Sequence, residues 1–181
     1  MKLVILDRDG VINEDSPLFI KSPLEWHPIK GSLEAIALLN QLGYTVVVAT
    51  NQSGIARKLY DENTLSAIHE KMHQAVKACG GHIDAIFYCP HGPDDSCDCR
   101  KPKPGLLQQI ANYYNVTLEQ VLCVGDSYRD LEAAFAASAT PVLVLTGNGR
   151  KTLQNHASNL HNVAYYDDLY AFASHLKVNN S

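Results

Sequence analysis

Residues 3–10 read LVILDRDG, a run of four apolar residues that ends in two acids and a glycine. An unbroken apolar run of this kind is typical of a strand that is buried on both faces, as in a parallel sheet. Asp7 and Asp9 follow the run directly, and Gly10 suits the turn that must come next. The stretch therefore predicts a central buried strand whose carboxyl end carries a pair of carboxylates.

Further apolar runs follow the same pattern, at 46–49, 83–88, 121–124 and 142–145. Segments with helical periodicity alternate with them, at 32–42, 61–79, 104–114, 128–138 and in a last segment up to 176. This alternation predicts an α/β fold of three layers, a Rossmann-like parallel sheet with helices on both faces. The carboxyl ends of such strands meet along one edge where ligands bind, so the residues after each run are the candidate site.

Length and composition indicate a globular protein and exclude several other classes. The 181 residues are 46% hydrophobic and 19% charged, with a formal net charge of −4, so we expect a single domain over 1–181. The acidic balance argues against a face that binds nucleic acid. The apolar runs are too short to span a bilayer, and the first residues lack the pattern of a signal peptide. We expect a cytoplasmic monomer that binds neither nucleic acid nor membrane.

Acidic residues follow two of the predicted strands, Asp7 and Asp9 after the first and Asp126 after the fourth. Two close carboxylates cannot both ionise freely unless a cation or hydrogen bonds stabilise them, and Mg²⁺ prefers such oxygen ligands. One carboxylate can then act as a nucleophile and another as a general acid/base. Asp130 is expected to orient its neighbours or to lie in the first turn of a helix. The structural alternatives are a strand-end turn at 7–10 and a helix N-cap at Asp126.

Two polar segments could hold a phosphate group. Thr50 opens the segment Thr50-Asn51-Gln52-Ser53-Gly54, whose hydroxyls and backbone N–H groups suit an anion, with an ordinary turn as the alternative. The segment 100–105, Arg-Lys-Pro-Lys-Pro-Gly, is a basic loop that its prolines keep stiff. Fixed cations beside carboxylates and a metal stabilise phosphoryl oxygens, whereas a solvated charge run is the alternative here.

Three of the five cysteines lie within 89–99, together with a histidine. Cys89, His91, Cys97 and Cys99 form two close pairs, and three thiolates with one imidazole suit Zn²⁺ in a closed tetrahedral site. We therefore predict a structural zinc-binding loop at 89–99 that positions the basic residues directly after it. Unligated thiols or a disulfide are the alternative, which a reducing compartment disfavours.

A second possible zinc motif is H-E-x-x-H at 69–73. His69 and His73 would share one helix face, but the third ligand of either zinc-protease pattern is missing from its expected position. We predict a solvated helix face here rather than the site of a zinc protease.

Together, the segments at the strand ends resemble the haloacid dehalogenase superfamily of phosphatases. The matches are Asp7-x-Asp9-Gly10-Val11, Thr50, the lysine of Arg100-Lys101, and Gly125-Asp126-x-x-x-Asp130. Longer stretches, LDRDGVIN, ATNQSGIAR, CPH, CDCRKPKPG and VGD, are similar to the heptose bisphosphate phosphatases, with the histidinol-phosphate phosphatases as near relatives. The resemblance covers residues 3–149 and implies the haloacid dehalogenase fold without a large cap domain.

The resemblance also implies a mechanism, hydrolysis through a phosphoaspartyl intermediate on Asp7. It implies Asp9 as the general acid/base, and Thr50 and Lys101 as stabilisers of the phosphoryl group. A catalytic Mg²⁺ would be held by Asp7, by Asp126 and by Asp9 through its backbone carbonyl. The implied substrate contacts are Asp15, Ser16, Pro17, Leu18, Asn51, Gln52, Ser53 and Arg100.

The implied substrate is a small phosphorylated sugar, foremost the 7-phosphate of D-glycero-D-manno-heptose 1,7-bisphosphate, a precursor of nucleotide-activated heptose. Two alternatives stay open: histidinol phosphate as the substrate, and a non-catalytic protein that binds a partner through the Cys/His loop. Ser127 stands where some relatives carry a lysine that contacts substrate. The loop between His91 and Cys97 is shorter than in some relatives and lies near the site, so the sequence leaves the preferred anomer open.

Overall fold

Strands and helices alternate along the chain, as the apolar runs predict. The computed structural model describes residues 1–179, so the last two residues of the predicted domain lie outside the described residues. The strands are β1 (Lys2–Leu6), β2 (Tyr44–Asn51), β3 (Ala85–Cys89), β4 (Leu122–Gly125), β5 (Thr140–Val144) and β6 (Ala164–Tyr166). The helices are α1 (Ser32–Gln41), α2 (Glu62–Ala78), α3 (Gly105–Tyr114), α4 (Tyr128–Ala136), α5 (Gly149–Asn155) and α6 (Leu169–Asn179).

The strands form one parallel sheet in the order β3-β2-β1-β4-β5-β6. β1 is central, and Leu6 pairs with Val48 on one side and with Val124 on the other. The strand order reverses between β1 and β4, and ligands bind at such a reversal in open α/β sheets. The residues after these strands meet at that point of the carboxyl edge. The predicted Rossmann-like fold is confirmed.

The apolar runs are continuous because helices cover both faces of the sheet. Val4 and Leu6 of β1 pack with α1, α2 and α6, whereas Leu3 and Ile5 pack on the other face with α3 and α4. Burial of each such side chain stabilises the fold by about 1.5–3 kcal/mol. Two apolar cores thereby hold the carboxyl end of β1 in a fixed position.

The turn between β4 and α4 determines what Asp126 can do. Ser127 is the N-cap of α4 and forms a capping box with Asp130, whose Oδ2 accepts from the Ser127 N–H and hydroxyl. Because Ser127 takes this role, the predicted alternative of an N-cap at Asp126 is wrong. The Asp126 carboxylate instead reaches the cavity at the carboxyl edge.

Two short elements, α5 and β6, were not predicted from the sequence. α5 begins at Gly149, within the stretch Gly147-Asn148-Gly149 that is typical of a turn, and β6 has three residues, of which the first two are exposed. Neither element carries the long apolar pattern from which the others are predicted.

Loops surround the carboxyl edge of the sheet. The longest connections there are 7–31, 52–61 and 90–104, and within residues 1–179 they contain one short 3₁₀ turn, Pro23–Glu25, and no inserted cap domain. The site is therefore open to a small solute. None of the helices in the described part of the chain is long and apolar enough to cross a membrane.

Candidate active site

A cavity of about 780 Å³ opens at the carboxyl ends of β1, β2 and β4. It brings together predicted site residues from five segments: Asp7, Asp9, Asp15, Ser16, Pro17, Thr50, Asn51, Gln52, Ser53, Arg100, Lys101 and Asp126. Leu18 is the exception, since its side chain is 71% exposed and does not line the cavity. A turn closed by the Phe19 N–H and the Ser16 carbonyl presents Phe19 to the cavity instead.

A buried lysine lies between two of the acids. Lys101 is 4% exposed, and its Nζ donates to Asp7 Oδ1 at 2.9 Å, to Asp130 Oδ1 at 2.6 Å and to the Ala49 carbonyl at 2.8 Å. Burial would lower the pKa of Lys101, but the Asp130 and Asp7 carboxylates outweigh it and hold the pKa above its usual value. Lys103 is more exposed and donates to the Cys97 carbonyl, outside the cavity.

Three carboxylates, those of Asp7, Asp126 and Asp130, lie close together, whereas Lys101 supplies a single ammonium group. Ligand oxygens of Asp7, Asp126 and Asp130 lie within 4.8 Å of one another. Burial, together with the neighbouring carboxylates, raises the pKa of Asp7 to about 7 even though Lys101 opposes the shift. Burial and the charges of Asp130 and Asp7 raise the pKa of Asp126 to about 8. This arrangement suits a divalent cation with oxygen ligands.

Two glycines make room for the Asp126 carboxylate. A Cβ at Gly10 would lie 2.1 Å from Asp126 Oδ2, and one at Gly147 would lie 2.2 Å from the same oxygen. Both glycines also have positive φ, +84° and +53°. The backbone N–H of Asn148 donates to Asp126 Oδ2 at 2.7 Å. The carboxylate is therefore fixed against the turn that follows β1.

Asp9 is held from several sides by hydrogen-bond donors. Arg8 Nη2 lies 2.9 Å from Asp9 Oδ1 and 3.1 Å from Oδ2, Asn13 Nδ2 donates to Oδ1 at 2.9 Å, and Gln52 Nε2 donates to Oδ2 at 2.9 Å. Burial would raise the pKa of Asp9, but Arg8 and these amides outweigh it and lower the pKa. The carboxylate is thus ionised and oriented.

Gln52 and Asn51, two of the predicted substrate contacts, form hydrogen bonds with other residues of the site. Gln52 is 3% exposed; its Nε2 donates to Thr50 Oγ1 and Asp9, and its Oε1 accepts from Tyr60 at 2.6 Å. The Asn51 side chain bonds to the backbone of Lys101. Both residues line the cavity but orient its other side chains.

Three guanidinium groups lie around the mouth of the cavity. Arg57, Arg100 and Arg129 all line it, and neither Arg57 nor Arg129 forms an ion pair within residues 1–179. Partial burial and the nearby guanidiniums of Arg129 and Arg57 lower the pKa of Arg100. Arg129 also lies in the first turn of α4, where a cation is unfavourable. Such mutual repulsion is relieved by an anion.

The four predicted zinc ligands meet at one point. Cys99 Sγ lies 3.0 Å from Cys89 Sγ and 3.3 Å from His91 Nδ1, and Cys97 Sγ lies 3.8 Å from Cys89 Sγ. All four ligand atoms lie within 4.8 Å of one another, and the cysteines are free thiols. The alternative of a disulfide among them is absent from the described residues.

The prediction of a solvated helix face at His69 is wrong. His69 is 8% exposed on α2, and Nε2 lies 3.2 Å from Arg8 Nη1. The next residue, Glu70, is exposed and accepts from Gln74. His69 and Glu70 therefore lie in different surroundings. In a zinc-protease site, both residues would face the same metal site. The sequence pattern predicts solvent exposure for His69 because its buried partner, Arg8, cannot be identified from the spacing of residues.

The chain resembles known phosphatases over nearly its whole length. Residues 98–172 match a hydrolase family model described as "HAD-hyrolase-like". A D-glycero-beta-D-manno-heptose-1,7-bisphosphate 7-phosphatase of Bordetella bronchiseptica is 63% identical over 153 residues, which are 84% of this chain and 86% of the relative. The chain belongs to the haloacid dehalogenase superfamily, in the family of these heptose bisphosphate phosphatases. The resemblance inferred from the motifs is confirmed.

Other members of this haloacid dehalogenase family agree in sequence and structure. A Pseudomonas putida protein of the same name is 55% identical, covering 97% of this chain and 99% of the relative. The crystal structure of the Bordetella bronchiseptica D,D-heptose 1,7-bisphosphate phosphatase, complexed with magnesium and phosphate, matches with a TM-score of 0.94 at 56% identity. That match covers 99% of each chain.

Sequence reasoning missed several residues of this haloacid dehalogenase site: Arg8, Arg57, Tyr60, Arg129 and Asn148. Arg8 had a usable signal, because it lies inside the acidic motif that follows β1. The exposed arginines had none, since single charged residues on a helix or loop are ordinary surface features.

Proposed function

We propose that the chain removes the 7-phosphate of D-glycero-β-D-manno-heptose 1,7-bisphosphate through a phosphoaspartyl intermediate. One observation carries the proposal: Asp7, Asp126 and Lys101 converge in one cavity, in a chain 63% identical to a phosphatase with that substrate in its name. The preference for the β anomer is taken from the names of the relatives.

Asp7 is the nucleophile. One of its carboxylate oxygens attacks phosphorus in line, the bond between phosphorus and the sugar oxygen breaks, and Asp9 gives a proton to that oxygen. The ionised Asp9 then takes a proton from water, whose oxygen attacks the phosphorus of the acyl phosphate. This second step releases inorganic phosphate and restores Asp7. The Thr50 hydroxyl and the Lys101 ammonium stabilise the phosphoryl oxygens in both steps.

Asp9 needs a proton for the first step and none for the second. In the ligand-free chain Arg8 lowers the pKa of Asp9, so this carboxyl group is ready to act as a base. An anionic substrate beside Asp9 disfavours its ionised form, because like charges raise the pKa of a carboxyl group. Substrate binding therefore favours the acid form that protonates the leaving oxygen.

Asp7, Asp126 and the backbone carbonyl of Asp9 would hold a Mg²⁺ ion. The raised pKa values of Asp7 and Asp126 fit this assignment, because one ammonium group does not balance the buried carboxylates around it. Mg²⁺, when bound, neutralises charge on the phosphoryl oxygens and fixes the phosphate. The magnesium and phosphate in the Bordetella structure support such a site in this family.

The second phosphate of the substrate would be bound by Arg100, Arg57 and Arg129. These guanidiniums repel one another in the free chain, and an anion between them removes that repulsion. Arginine also binds phosphate through paired N–H groups, which favours a bisphosphate over a monophosphate. The three side chains thereby support a subsite for the 1-phosphate.

The Cys/His cluster would bind a structural Zn²⁺. Tetrahedral Zn–S bonds of about 2.3 Å require sulfur atoms about 3.8 Å apart. Cys97 Sγ lies at that distance from Cys89 Sγ, 3.8 Å, and His91 Nδ1 lies 3.5 Å from the same sulfur. Cys99 Sγ is closer, at 3.0 Å, and would move apart from Cys89 Sγ by under about 1 Å to complete the site. Arg100 and Lys101 follow Cys99 directly, so the ion would position both.

Histidinol phosphate is the second candidate substrate. Glu14 and Asp15 line the cavity and could receive its ammonium group. That substrate carries one phosphate, so it would leave the arginine subsite without an anion.

A panel of substrates tests the proposal. Phosphate release is measured from both anomers of the heptose bisphosphate and from histidinol phosphate, with Mg²⁺ or EDTA, for the wild type and Asp7→Asn. We expect Mg²⁺-dependent release from the β anomer that disappears in Asp7→Asn. Preference for histidinol phosphate would replace the substrate assignment, and no release from any ester would favour a non-catalytic protein that binds through the Cys/His loop.

A further inference from the structure

Arg8 links the interior of the protein to the proposed acid/base. It is 1% exposed, and its Nε and Nη2 both reach Asp9, at 3.2 Å and 2.9 Å from Oδ1. Nη2 also reaches Gln52 Oε1 at 3.3 Å. Two of the three guanidinium nitrogens are therefore committed to the active site.

The third nitrogen, Nη1, is bonded by His69. The Nε2 atom of His69 lies 3.2 Å from Arg8 Nη1, and an arginine can only donate, so the histidine accepts. The imidazole is itself fixed, because it is 8% exposed on α2 and packs edge-on against Tyr88 with ring centroids 6.3 Å apart. His69 is thus a rigid acceptor behind Arg8.

Burial keeps His69 in the form that can accept. Burial first, and then the neighbouring Arg8 charge, lower the pKa of His69 to about 3, with Asp9 opposing and His73 adding to the shift. The ring is therefore neutral near neutral pH, and Nε2 carries a lone pair. His69 acts beside Arg8 as a fixed acceptor, without gaining or losing a proton.

We propose that His69 is a positioning residue: it fixes the plane of the Arg8 guanidinium and, through it, the orientation of the Asp9 carboxylate. A guanidinium is planar, so a bond at Nη1 sets the directions of Nε and Nη2. Without that bond, a buried cationic N–H lacks a partner and the group rotates to find one. The inference rests on the proposed function, because it is that function which gives Asp9 its role as acid and base.

The orientation of Asp9 matters because proton transfer depends steeply on distance. A general acid must lie within about 2.6–3.2 Å of the atom that it protonates. A displacement of about 1 Å can cost on the order of 100-fold in rate. His69 acts on Asp9 through Arg8. A change at His69 should therefore lower kcat and leave substrate affinity unchanged.

Two substitutions at this position separate positioning from packing. His69→Leu fills the space but cannot accept from Arg8, whereas His69→Gln places an amide oxygen where Nε2 stood. Glu70→Gln is the matched control, since Glu70 is the exposed neighbour on α2 and has no place in the active site. Melting temperatures and circular dichroism show that each variant is folded before its kinetics are measured.

On the heptose bisphosphate, we expect His69→Leu to lower kcat by about 10- to 100-fold with KM within about twofold of wild type. His69→Gln should recover most of kcat, and Glu70→Gln should match the wild type. kcat/KM for p-nitrophenyl phosphate should fall less in His69→Leu than kcat/KM for the sugar phosphate. Nitrophenolate departs without protonation, so its release does not need an oriented acid.

Other results would overturn the inference. Equal losses in His69→Leu and His69→Gln, or a loss carried by KM, would mean that His69 supports packing alone. Wild-type kcat in His69→Leu would mean that Arg8 needs no acceptor. A wild type that releases no phosphate from the heptose bisphosphate would instead refute the proposed function, which this design keeps separate.

Discussion

The side chain of Asn51 forms two hydrogen bonds with the backbone of Lys101. Its Oδ1 accepts from the Lys101 N–H at 3.0 Å, and its Nδ2 donates to the Lys101 carbonyl at 3.0 Å. Asn51 is the last residue of β2, whereas Lys101 lies in the loop after the Cys/His cluster. The lysine beside Asp7 is therefore positioned by an amide on a neighbouring strand.

Removal of this amide should weaken catalysis. We expect Asn51→Ala to lower kcat by about tenfold, because Lys101 then shifts from its place beside Asp7. Asn51→Asp keeps the acceptor and loses the donor, so its kcat should lie between that of the wild type and that of Asn51→Ala. Steady-state kinetics on the heptose bisphosphate measures the effect, with Asn63→Ala, an exposed residue of α2, as the control. Wild-type turnover in Asn51→Ala would contradict this role.

The metal-free acids should make stability depend on pH and on Mg²⁺. Folding raises the pKa of Asp126 from 3.8 to about 8 and that of Asp7 from 3.8 to about 7. Between pH 3.8 and about 8, the folded chain therefore holds protons that the unfolded chain has released. The stability of the fold falls as pH rises through this range. His69 acts in the opposite sense, since its pKa falls from 6.5 to about 3, but that contribution is lost only as pH falls below 6.5.

Thermal unfolding between pH 6.5 and pH 8 isolates the acids. In EDTA, we expect the melting temperature to fall as pH rises, and added Mg²⁺ to raise it most at pH 8. Asp126→Asn should melt roughly 2–4 °C above the wild type in EDTA at pH 8 and respond little to Mg²⁺. An equal Mg²⁺ response in the variant would contradict the assignment of Asp126 as a ligand.

The Cys/His cluster should carry one zinc ion and support the loop before Lys101. We expect Cys99→Ser to reduce zinc content and to lower the melting temperature by about 5–10 °C. Turnover should fall as well, because Arg100 follows Cys99 directly. Cys79→Ser is the control, since Cys79 is exposed and lies outside the cluster. Protein that contains no zinc as isolated, and unchanged stability in Cys99→Ser, would refute the zinc site.

Arg129 should discriminate a bisphosphate from a monophosphate. We expect Arg129→Ala to lower kcat/KM for the heptose bisphosphate by about 10-fold, mainly through KM, since a charge-assisted pair contributes on the order of 1.5–3 kcal/mol. Hydrolysis of p-nitrophenyl phosphate, which has no second phosphate, should not change. Arg150→Ala, an exposed arginine outside the cavity, is the control. Equal losses on both esters would contradict a subsite at Arg129.

The sheet and the place of the site could be predicted because both follow from local patterns. Runs such as Leu3–Leu6 have no polar face, which requires burial on both sides and hence a parallel sheet. Once the strands are parallel, the residues after them share one edge, and this alone brings Asp7, Thr50 and Asp126 together. α5 and β6 were missed because their patterns are too short.

Hydrogen-bond partners could not be predicted in the same way. Whether Gln52 faces a substrate or Thr50, and whether His69 faces water or Arg8, depends on tertiary packing that no spacing in the sequence encodes. Leu18 shows the same limit, since one turn decides which of two neighbouring apolar residues lines the cavity. The family resemblance predicts the reacting groups, but not the side chains that orient them.

The position of the phosphate that leaves tests the central claim most directly. We would follow D-glycero-β-D-manno-heptose 1,7-bisphosphate by ³¹P NMR with Mg²⁺, for the wild type and Asp7→Asn, with the α anomer in parallel. We predict loss of the 7-phosphate signal, an intact 1-phosphate, faster reaction of the β anomer and no reaction in Asp7→Asn. Release of the 1-phosphate, or full activity in Asp7→Asn, would contradict the assignment of substrate and nucleophile.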